Sequence, residues 1–254
     1  MSPAIFFDTE TTDKDDAREI IEAAWIRPLV SDLPGESDRI PRPLLEQPCE
    51  SFVRRYRPTK PISYGAMAVH HILPSELEDR PPSSSFAIPE DVQYIVGHNI
   101  DYDWQAAGSP PWVKRICTDA MARYVWPDLD AYSQSALLYY VLGPTPETRE
   151  RLRNAHSALA DVLNNVLLLE KILEAKPEIT TWSALYAYSE QCRIPRVMPI
   201  GERQGVKGMT LDEALEFDPS FVDWCLRQDW LDPYLRKGLE QAIARANQRW
   251  GVPA

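Results

Sequence analysis

The chain begins with an apolar run that gives way to acidic and hydroxyl side chains at residues 5–12, IFFDTETT. This pattern is typical of a buried strand that delivers polar groups to a site at its end. Residues 19–26 and 50–56 also have strand patterns, and the short apolar runs at 93–97 and 113–118 predict two further strands. Together these segments favour an α/β protein with a mixed or α+β sheet that opens with three antiparallel strands.

Helical spacing of apolar residues predicts helices over 63–72, 119–126, 133–142, 156–170 and 179–191. Proline-rich stretches at 28–48 and 81–89 predict loops, and residues 149–155 are interpreted as a polar approach to the helix at 156. Residues 195–199 predict a linker, and two amphipathic segments follow at 210–228 and 233–250. We therefore expect a main domain over residues 1–192 and a small, mainly helical C-terminal module over 196–254.

The composition, with 254 residues, 44% hydrophobic and 26% charged, provides material for one large core and a small addition. The cysteines lack the spacing of a zinc module or a disulfide framework, so we expect reduced thiols in a cytoplasmic protein. They are Cys49, Cys117, Cys192 and Cys225. No apolar run approaches the roughly 18 residues that span a bilayer, and no signal-peptide pattern opens the sequence.

The net charge of −11 is unusual for a nucleic-acid binder, since such proteins generally carry a basic surface. Bound cations can neutralise clustered carboxylates, however, and two local groups of basic residues remain available for phosphate. The first group is Arg54, Arg55, Arg57 and Lys60, and the second is Arg149, Arg151 and Arg153. Each group has two interpretations, a phosphate track or exposed charge on a strand end and a loop.

Asp8 and Glu10 would project from the same face of the first strand, because alternate side chains of a strand point the same way. Two adjacent carboxylates repel each other unless a cation lies between them, which points to a hard divalent ion such as Mg²⁺ or Mn²⁺. From this segment alone, a second interpretation has equal weight with metal binding: Asp8 caps a turn and Glu10 is exposed to solvent.

Further acids follow in two distant segments. Asp101 and Asp103 come directly after the strand at 93–97, and Asp161 lies on the long helix, preceded by His156. Four acids from three segments can bind two divalent ions about 4 Å apart, an arrangement that hydrolyses phosphodiesters. A histidine with a pKa near neutrality can then accept the proton of the attacking water.

Three blocks, at residues 7–12, 97–103 and 155–161, carry a resemblance to a known family. In order and spacing they resemble the blocks of the DEDD exonuclease superfamily, in its histidine-bearing DEDDh branch. Residues 56–72 and 201–239 are similar to the exodeoxyribonuclease X group within that branch. The resemblance implies an RNase H-like fold with a mixed five-stranded sheet flanked by helices. It also implies removal of nucleotides from 3′ ends with two Mg²⁺ ions, which Mn²⁺ can replace.

Carried over by position, the resemblance implies the metal ligands Asp8, Glu10, Asp103 and Asp161, with His156 as general base. Tyr102-Asp103 stands where the family usually has Phe-Asp, so Asp103 is preferred to Asp101. We further predict that Asp8 bridges both ions and that Glu10 binds one. The candidate substrate contacts are Thr9, Thr11, Thr12, His98, Asn99 and His70.

Several of these candidates have a structural alternative. Thr11 and Thr12 can support the turn after the strand, and His70 with His71 can form a partly buried pair at a helix end. Tyr102 and Trp104 can stack on a base, but they can equally belong to the core.

The sequence therefore predicts a metal-dependent 3′→5′ exonuclease that acts on DNA and releases 5′-mononucleotides, with no membrane association. An exoribonuclease or oligoribonuclease is the alternative enzyme, and a non-catalytic nucleic-acid or protein interaction module is the alternative outside enzymes. Asp13 occupies a place where a glycine is common, and the loop at 28–48 is long. Both departures affect the expected path of the substrate beside the first block.

Overall fold

A computed structural model describes residues 2–15, 17–29, 37–153 and 157–250. Over this part of the chain, five strands form one sheet in the order β3-β2-β1-β4-β5. The strands are β1 (Ala4–Thr11), β2 (Ile20–Pro28), β3 (Cys49–Arg55), β4 (Tyr94–Gly97) and β5 (Lys114–Cys117). β2 pairs antiparallel with both β1 and β3, whereas β4 pairs parallel with both β1 and β5. The predicted α/β fold with a mixed five-stranded sheet is confirmed.

Ten α-helices lie within the described residues. They are α1 (Tyr64–His70), α2 (Asp101–Ala106), α3 (Thr118–Val125), α4 (Gln134–Leu142), α5 (Pro146–Arg153), α6 (Ala158–Ala175), α7 (Trp182–Cys192), α8 (Leu211–Phe217), α9 (Pro219–Leu226) and α10 (Pro233–Trp250). The predicted helices of the main domain appear as α1, α3, α4, α6 and α7. Ser63 caps α1 as expected, since its side chain accepts the amide of Ala66 (3.1 Å).

One helix was not predicted from the sequence, and one predicted amphipathic segment contains two helices. The stretch interpreted as a polar approach is largely α5, which begins at Pro146, a residue suited to the first turn because it needs no amide partner. The amphipathic segment predicted over 210–228 contains two helices, α8 and α9. Pro219 cannot continue α8, and Asp218 instead caps α9 by accepting the amide of Phe221 (2.9 Å).

The two faces of β1 pack against different parts of the core. Ile5 and Phe7 belong to a buried cluster that includes Trp25 of β2. Phe6 points to the opposite face, where its ring meets Trp182 of α7 edge-on at a centroid distance of 6.1 Å. Because side chains alternate along a strand, Asp8 and Glu10 continue the row of Phe6.

The chain divides into two compact units, Met1–Ser189 and Glu190–Ala254. The second unit has its own buried core, which includes Met198, Val222, Cys225 and Leu239. Gly201 turns the chain there at φ +90°, and a Cβ at this position would lie 2.4 Å from a methyl group of Val206. The roles assigned to residues 1–192 and 196–254 remain predictions.

Within the described ranges, none of the helices combines the length and the apolar character that a bilayer span requires.

Candidate metal centre

Asp8 and Glu10 lie at the end of β1, where the buried apolar part of the strand gives way to partly exposed positions. In the sheet, Glu10 lies opposite Glu22 of β2. The Glu22 carboxylate accepts a hydrogen bond from the backbone amide of Ala158 at the start of α6 (3.0 Å). Paired residues of adjacent strands share a face. The two carboxylates of β1 therefore face the N-terminus of α6.

Asp161 lies in the first turn of α6 and approaches this face from the helix side. Ligand oxygens of Asp8, Glu10 and Asp161 all lie within 4.8 Å of one another. The cap of α6 is Ser157, whose hydroxyl accepts the amide of Ala160 (3.4 Å). The positive end of the helix favours a carboxylate at this position.

Asp103 is brought to the same strand from α2, and its side chain is only 4% exposed. One carboxylate oxygen, Oδ1, accepts both the backbone amide (2.9 Å) and the hydroxyl (2.7 Å) of Thr9. Burial raises the pKa of Asp103 to about 7, and the hydrogen bonds from Thr9 act in the opposite direction. Thr9 therefore fixes the orientation of this acid.

Gly97 ends β4 at a point where the backbone has no room for a side chain. A Cβ there would lie 2.4 Å from Cδ1 of Ile100 and 3.0 Å from the carbonyl oxygen of Phe7. The glycine thus permits the close turn from β4 into α2 beside β1. That turn delivers Asp103 to Thr9.

The carboxylates of this centre strongly influence one another. Burial raises the pKa of Asp8 well above its usual value, and the charges of Asp103, Asp161 and Glu10 raise it further. Burial and the neighbouring acids, Asp161 first among them, raise the pKa of Glu10 to about 8. Negative charge is therefore costly here unless a cation shares the site, and closely spaced carboxylate oxygens are the ligands that hard divalent ions prefer. The donor set fits such an ion.

Glu22 is an acid of the centre that sequence reasoning missed. Its charge contributes to the raised pKa of Glu10. Its carboxylate also accepts a hydrogen bond from Nε of Arg55 (2.9 Å). The one available signal was an acid inside an otherwise apolar strand, residues 20–26.

The predicted general base, His156, lies outside the residues that the structure describes. Asp101, the rejected alternative to Asp103, accepts a hydrogen bond from Nη1 of Arg115 (2.7 Å). Neither Asp101 nor Asp103 belongs to the described group of mutually close ligand atoms, which is Asp8, Glu10 and Asp161. The preference for Asp103 as a metal ligand stays a prediction, and its charge contributes to the raised pKa values of Asp8 and Glu10.

The hydroxyls of Thr11 and Thr12 both form hydrogen bonds with other residues of the chain. Thr11 donates to the carbonyl of Asp13 (2.8 Å) and contacts the hydroxyl of Tyr102, which bonds to the same carbonyl (2.8 Å). The Thr12 hydroxyl accepts the amide of Glu19 (3.0 Å). Both threonines support the turn after β1, and their contact with substrate stays a prediction.

His98 is held by a polar network of its own. Its Nε2 donates to the carbonyl of Tyr132 (2.8 Å), and Nδ1 lies 3.2 Å from the Thr118 hydroxyl. Asn99, which follows, is exposed and has a left-handed backbone (φ +60°), a conformation that asparagine tolerates. Substrate contact stays a prediction for both, with Asn99 the more accessible of the two.

His70 is buried (6% exposed), and its Nδ1 accepts the amide of Ile72 (2.9 Å). Its Nε2 has no hydrogen-bond partner among the described residues. His71 ends α1 with a left-handed backbone (φ +58°) and is exposed. The histidine pair therefore consists of one buried and one exposed ring at the helix end.

The basic groups of the sequence are partly occupied. Arg55 binds Glu22, and Arg57 donates to the carbonyl of Glu78 (2.9 Å). On α5, Arg149 and Arg153 lie one helical turn apart, so the intervening Arg151 projects from another side. Neither group forms one continuous basic stripe, and their role toward phosphate stays a prediction.

Comparisons with known proteins give a consistent result, although no family model matches the sequence. The chain is 30% identical over 192 residues to exodeoxyribonuclease 10 of Escherichia coli, in strains K12 and O6:H1. The match covers 74% of this chain and 82% of that protein.

Solved structures of nucleases share the fold. Exonuclease X in complex with 5′ overhanging duplex DNA is 24% identical, with a TM-score of 0.52, covering 73% of this chain and 99% of that one. The zinc-bound complex of E. coli ExoI with single-stranded DNA is 18% identical, with a TM-score of 0.51, covering 73% of this chain and 42% of that one.

Proposed function

The chain belongs to the exodeoxyribonuclease X family of DEDD 3′→5′ exonucleases, and from this premise we propose that its acidic centre hydrolyses DNA at 3′ ends with two divalent ions. The products are 5′-mononucleotides. The observation that carries the proposal is the convergence of Asp8, Glu10 and Asp161 within 4.8 Å, with Asp103 fixed alongside by Thr9. DNA is the favoured substrate because the relatives are named as exodeoxyribonucleases.

The metal ligands in this proposal are the four acids, Asp8, Glu10, Asp103 and Asp161. Two Mg²⁺ ions, or Mn²⁺ in their place, would lower the pKa of a bound water and neutralise charge on the leaving oxygen. Asp8 is assigned to both ions and Glu10 to one. The charges of Asp103, Asp161 and Glu10 all contribute to the raised pKa of Asp8, so this carboxylate lies close to the other three acids.

The remaining roles belong to side chains around the acids. Thr9 holds Asp103 in one orientation through two hydrogen bonds to the same oxygen. His156 is assigned as the general base that takes a proton from the attacking water, because it precedes Asp161 by five residues in the matched block.

The test uses single-stranded DNA labelled at the 5′ or the 3′ end, incubated with the full chain and Mg²⁺, Mn²⁺ or EDTA. We expect a 5′-labelled strand to shorten progressively and a 3′-labelled strand to release labelled mononucleotide at once. EDTA should abolish both. A matched RNA strand tests the preference for DNA.

Three variants and a control complete the test. Asp8→Asn and Asp161→Asn should lower the rate by about a thousandfold or more, because a lost metal ligand removes several kcal/mol of transition-state stabilisation. His156→Ala should lower it by about 100- to 10,000-fold. Asp101→Asn, which changes a nearby acid paired with Arg115, should stay near the wild-type rate. Full activity in EDTA or in Asp8→Asn would contradict the mechanism, and digestion of RNA alone would contradict the substrate.

A further inference from the structure

Glu10, Glu22 and Arg55 form a row of charged side chains across three strands. Glu10 pairs with Glu22 between β1 and β2, and Glu22 pairs with Arg55 between β2 and β3. Directly paired residues share a face of the sheet, with Cβ atoms about 5 Å apart, and like charges so placed are destabilising. A buried glutamate beside a proposed metal ligand therefore requires a physical reason.

The hydrogen bonds of Glu22 supply that reason. Its residue exposure is 4%, and its two carboxylate oxygens have different partners. Oε1 accepts a hydrogen bond from Nε of Arg55 (2.9 Å). Nη1 of the same arginine donates a hydrogen bond to Glu76 (2.6 Å). Oε2 accepts the backbone amide of Ala158 (3.0 Å). One side chain thus links β2 to β3 and to the start of α6.

The Ala158 amide is a group that needs an outside partner. It belongs to the first residue of α6, where backbone amides have no acceptor within the helix. Ala158 is fully buried (0% exposed), so its amide depends on a protein acceptor. Glu22 provides this acceptor from the strand beside β1.

We propose that Glu22 is a positioning residue of the metal centre, one that holds the N-terminus of α6 so that Asp161 reaches Asp8 and Glu10. This inference rests on the proposed function. Asp161 lies three residues after Ala158 in the same helical turn, so displacement of the amide moves the carboxylate with it. Metal sites need their ligands held within about 0.5 Å of the productive geometry.

Glu22 itself is not assigned as a metal ligand. Both of its oxygens already accept hydrogen bonds, and among the described acids the group with mutually close ligand atoms is Asp8, Glu10 and Asp161. Its action on the ions is therefore through the position of α6.

Two substitutions of Glu22 distinguish its contact with α6 from the effect of its negative charge. Glu22→Gln keeps the length of the side chain and one oxygen for the Ala158 amide. Arg55 is partly exposed and retains Glu76 as a partner, so it can yield to the new amide group. Glu22→Asp keeps the charge but is one methylene shorter, so it falls short of the helix.

The matched control is Glu19→Asp. Glu19 lies three residues earlier and also accepts hydrogen bonds from backbone amides, those of Thr59 and Lys60, which lie outside α6. The same shortening at this position leaves the helix untouched.

The first measurement is Mn²⁺ binding by the full chain without DNA, in which the electron paramagnetic resonance signal of free Mn²⁺ reports how much ion remains unbound. The second is the thermal unfolding of each variant. We expect Glu22→Asp to weaken Mn²⁺ binding by about tenfold or more, the usual cost of losing the support of a metal ligand. Glu22→Gln should stay within about threefold of wild type and Glu19→Asp within about twofold, because both keep the Ala158 contact.

A double-mutant cycle tests whether Glu22 acts through Asp161. In an Asp161→Asn background, Glu22→Asp should cause no further loss of Mn²⁺ affinity, since the ligand that it positions is already gone. Independent losses that simply add would contradict the proposal.

Other outcomes would also overturn the inference. Weak binding by Glu22→Gln with normal binding by Glu22→Asp would assign the effect to charge. Equal effects of both substitutions, or no effect of either, would remove the positioning role. Loss of a cooperative unfolding transition in Glu22→Asp would mean that Glu22 holds the whole fold. If the wild-type chain binds no Mn²⁺, the proposed function itself fails, and the role of Glu22 falls with it.

Discussion

Thr9 illustrates at the residue scale how one side chain between two acids organises a site. It lies between Asp8 and Glu10 in the sequence, yet it points away from them and binds Asp103 of another segment. Strand alternation explains the arrangement, because one face of β1 carries ligands while the other carries a donor for a third ligand. The hydroxyl also opposes the rise in the pKa of Asp103 that burial causes.

Substitution of Thr9 tests this role. Thr9→Val removes the hydroxyl and keeps the amide, so kcat/KM on single-stranded DNA with saturating Mg²⁺ should fall by about tenfold or more. Hydrogen bonds to charged groups are worth about 1.5–3 kcal/mol, which corresponds to roughly that factor. Thr9→Ser keeps the hydroxyl and should retain most of the activity. Equal rates for the valine variant and the wild type would contradict the assignment.

At the scale of elements, α6 connects the metal centre to the sheet at two levels. Its first turn is held by Glu22, and two turns later Asn165 donates to the carbonyl of Val96 in β4 (3.2 Å). The Asn165 side-chain oxygen accepts the hydroxyl of Thr118 (2.7 Å), the first residue of α3. The helix that carries Asp161 is therefore fixed by buried polar contacts as well as by apolar packing.

Thr118→Val is expected to destabilise the fold by about 1–3 kcal/mol, because it leaves the buried oxygen of Asn165 without its donor. Urea unfolding followed by circular dichroism measures the change. Thr118→Ser restores the hydroxyl and should recover most of the loss. A valine variant as stable as the wild type would show that the network contributes little.

The elements that were predictable from sequence are those with a strong local pattern. The acidic end of β1 and the apolar period of α6 were both apparent, and with them Asp8, Glu10 and Asp161. The helix α5 was missed because its residues are mostly charged and have no apolar stripe to reveal the period.

The rest of the site depends on contacts between distant segments. Glu22 received no role because its partners, the Ala158 amide and Arg55, lie 136 and 33 residues away. Thr9 was predicted to contact the substrate, which stays a prediction, but its hydrogen bond to Asp103, 94 residues away, was not predicted. Pairings at such separations are decided by the tertiary fold, which local patterns do not specify.

At the scale of the whole molecule, the acidic charge and the proposed DNA substrate become compatible through the metal ions. The chain carries a net charge of −11, and several of its buried acids lie together at the centre described above. Divalent ions bound there would offset part of this charge where phosphate must approach. We therefore expect removal of the metal ions to lower the activity of this acidic chain by a larger factor than that of a nuclease with a basic surface.

The stability of the metal-free protein should fall as pH rises from 7 to 9. The pKa of Glu10 is raised to about 8 in the folded chain, well above its usual value near 4.5, so the folded state holds a proton that the unfolded state has lost. That contribution disappears as the pH passes through 8.

Thermal unfolding in EDTA and in Mg²⁺ across this pH range measures the effect. Mg²⁺ should raise Tm more at pH 9 than at pH 7, because the ion needs ionised carboxylates. Glu10→Gln should flatten the decline in EDTA. A Tm that rises with pH in EDTA, or a Mg²⁺ effect that is larger at pH 7, would contradict the linkage.

The central claim, that four acids from three segments hold two divalent ions, is tested most directly by anomalous diffraction from crystals grown with Mn²⁺ and a short 3′-ended DNA strand. We predict two Mn²⁺ peaks about 4 Å apart, both ligated by Asp8, with Glu10, Asp103 and Asp161 completing the protein ligands beside the terminal phosphate. A single peak, or ions ligated by residues other than these acids, would contradict it.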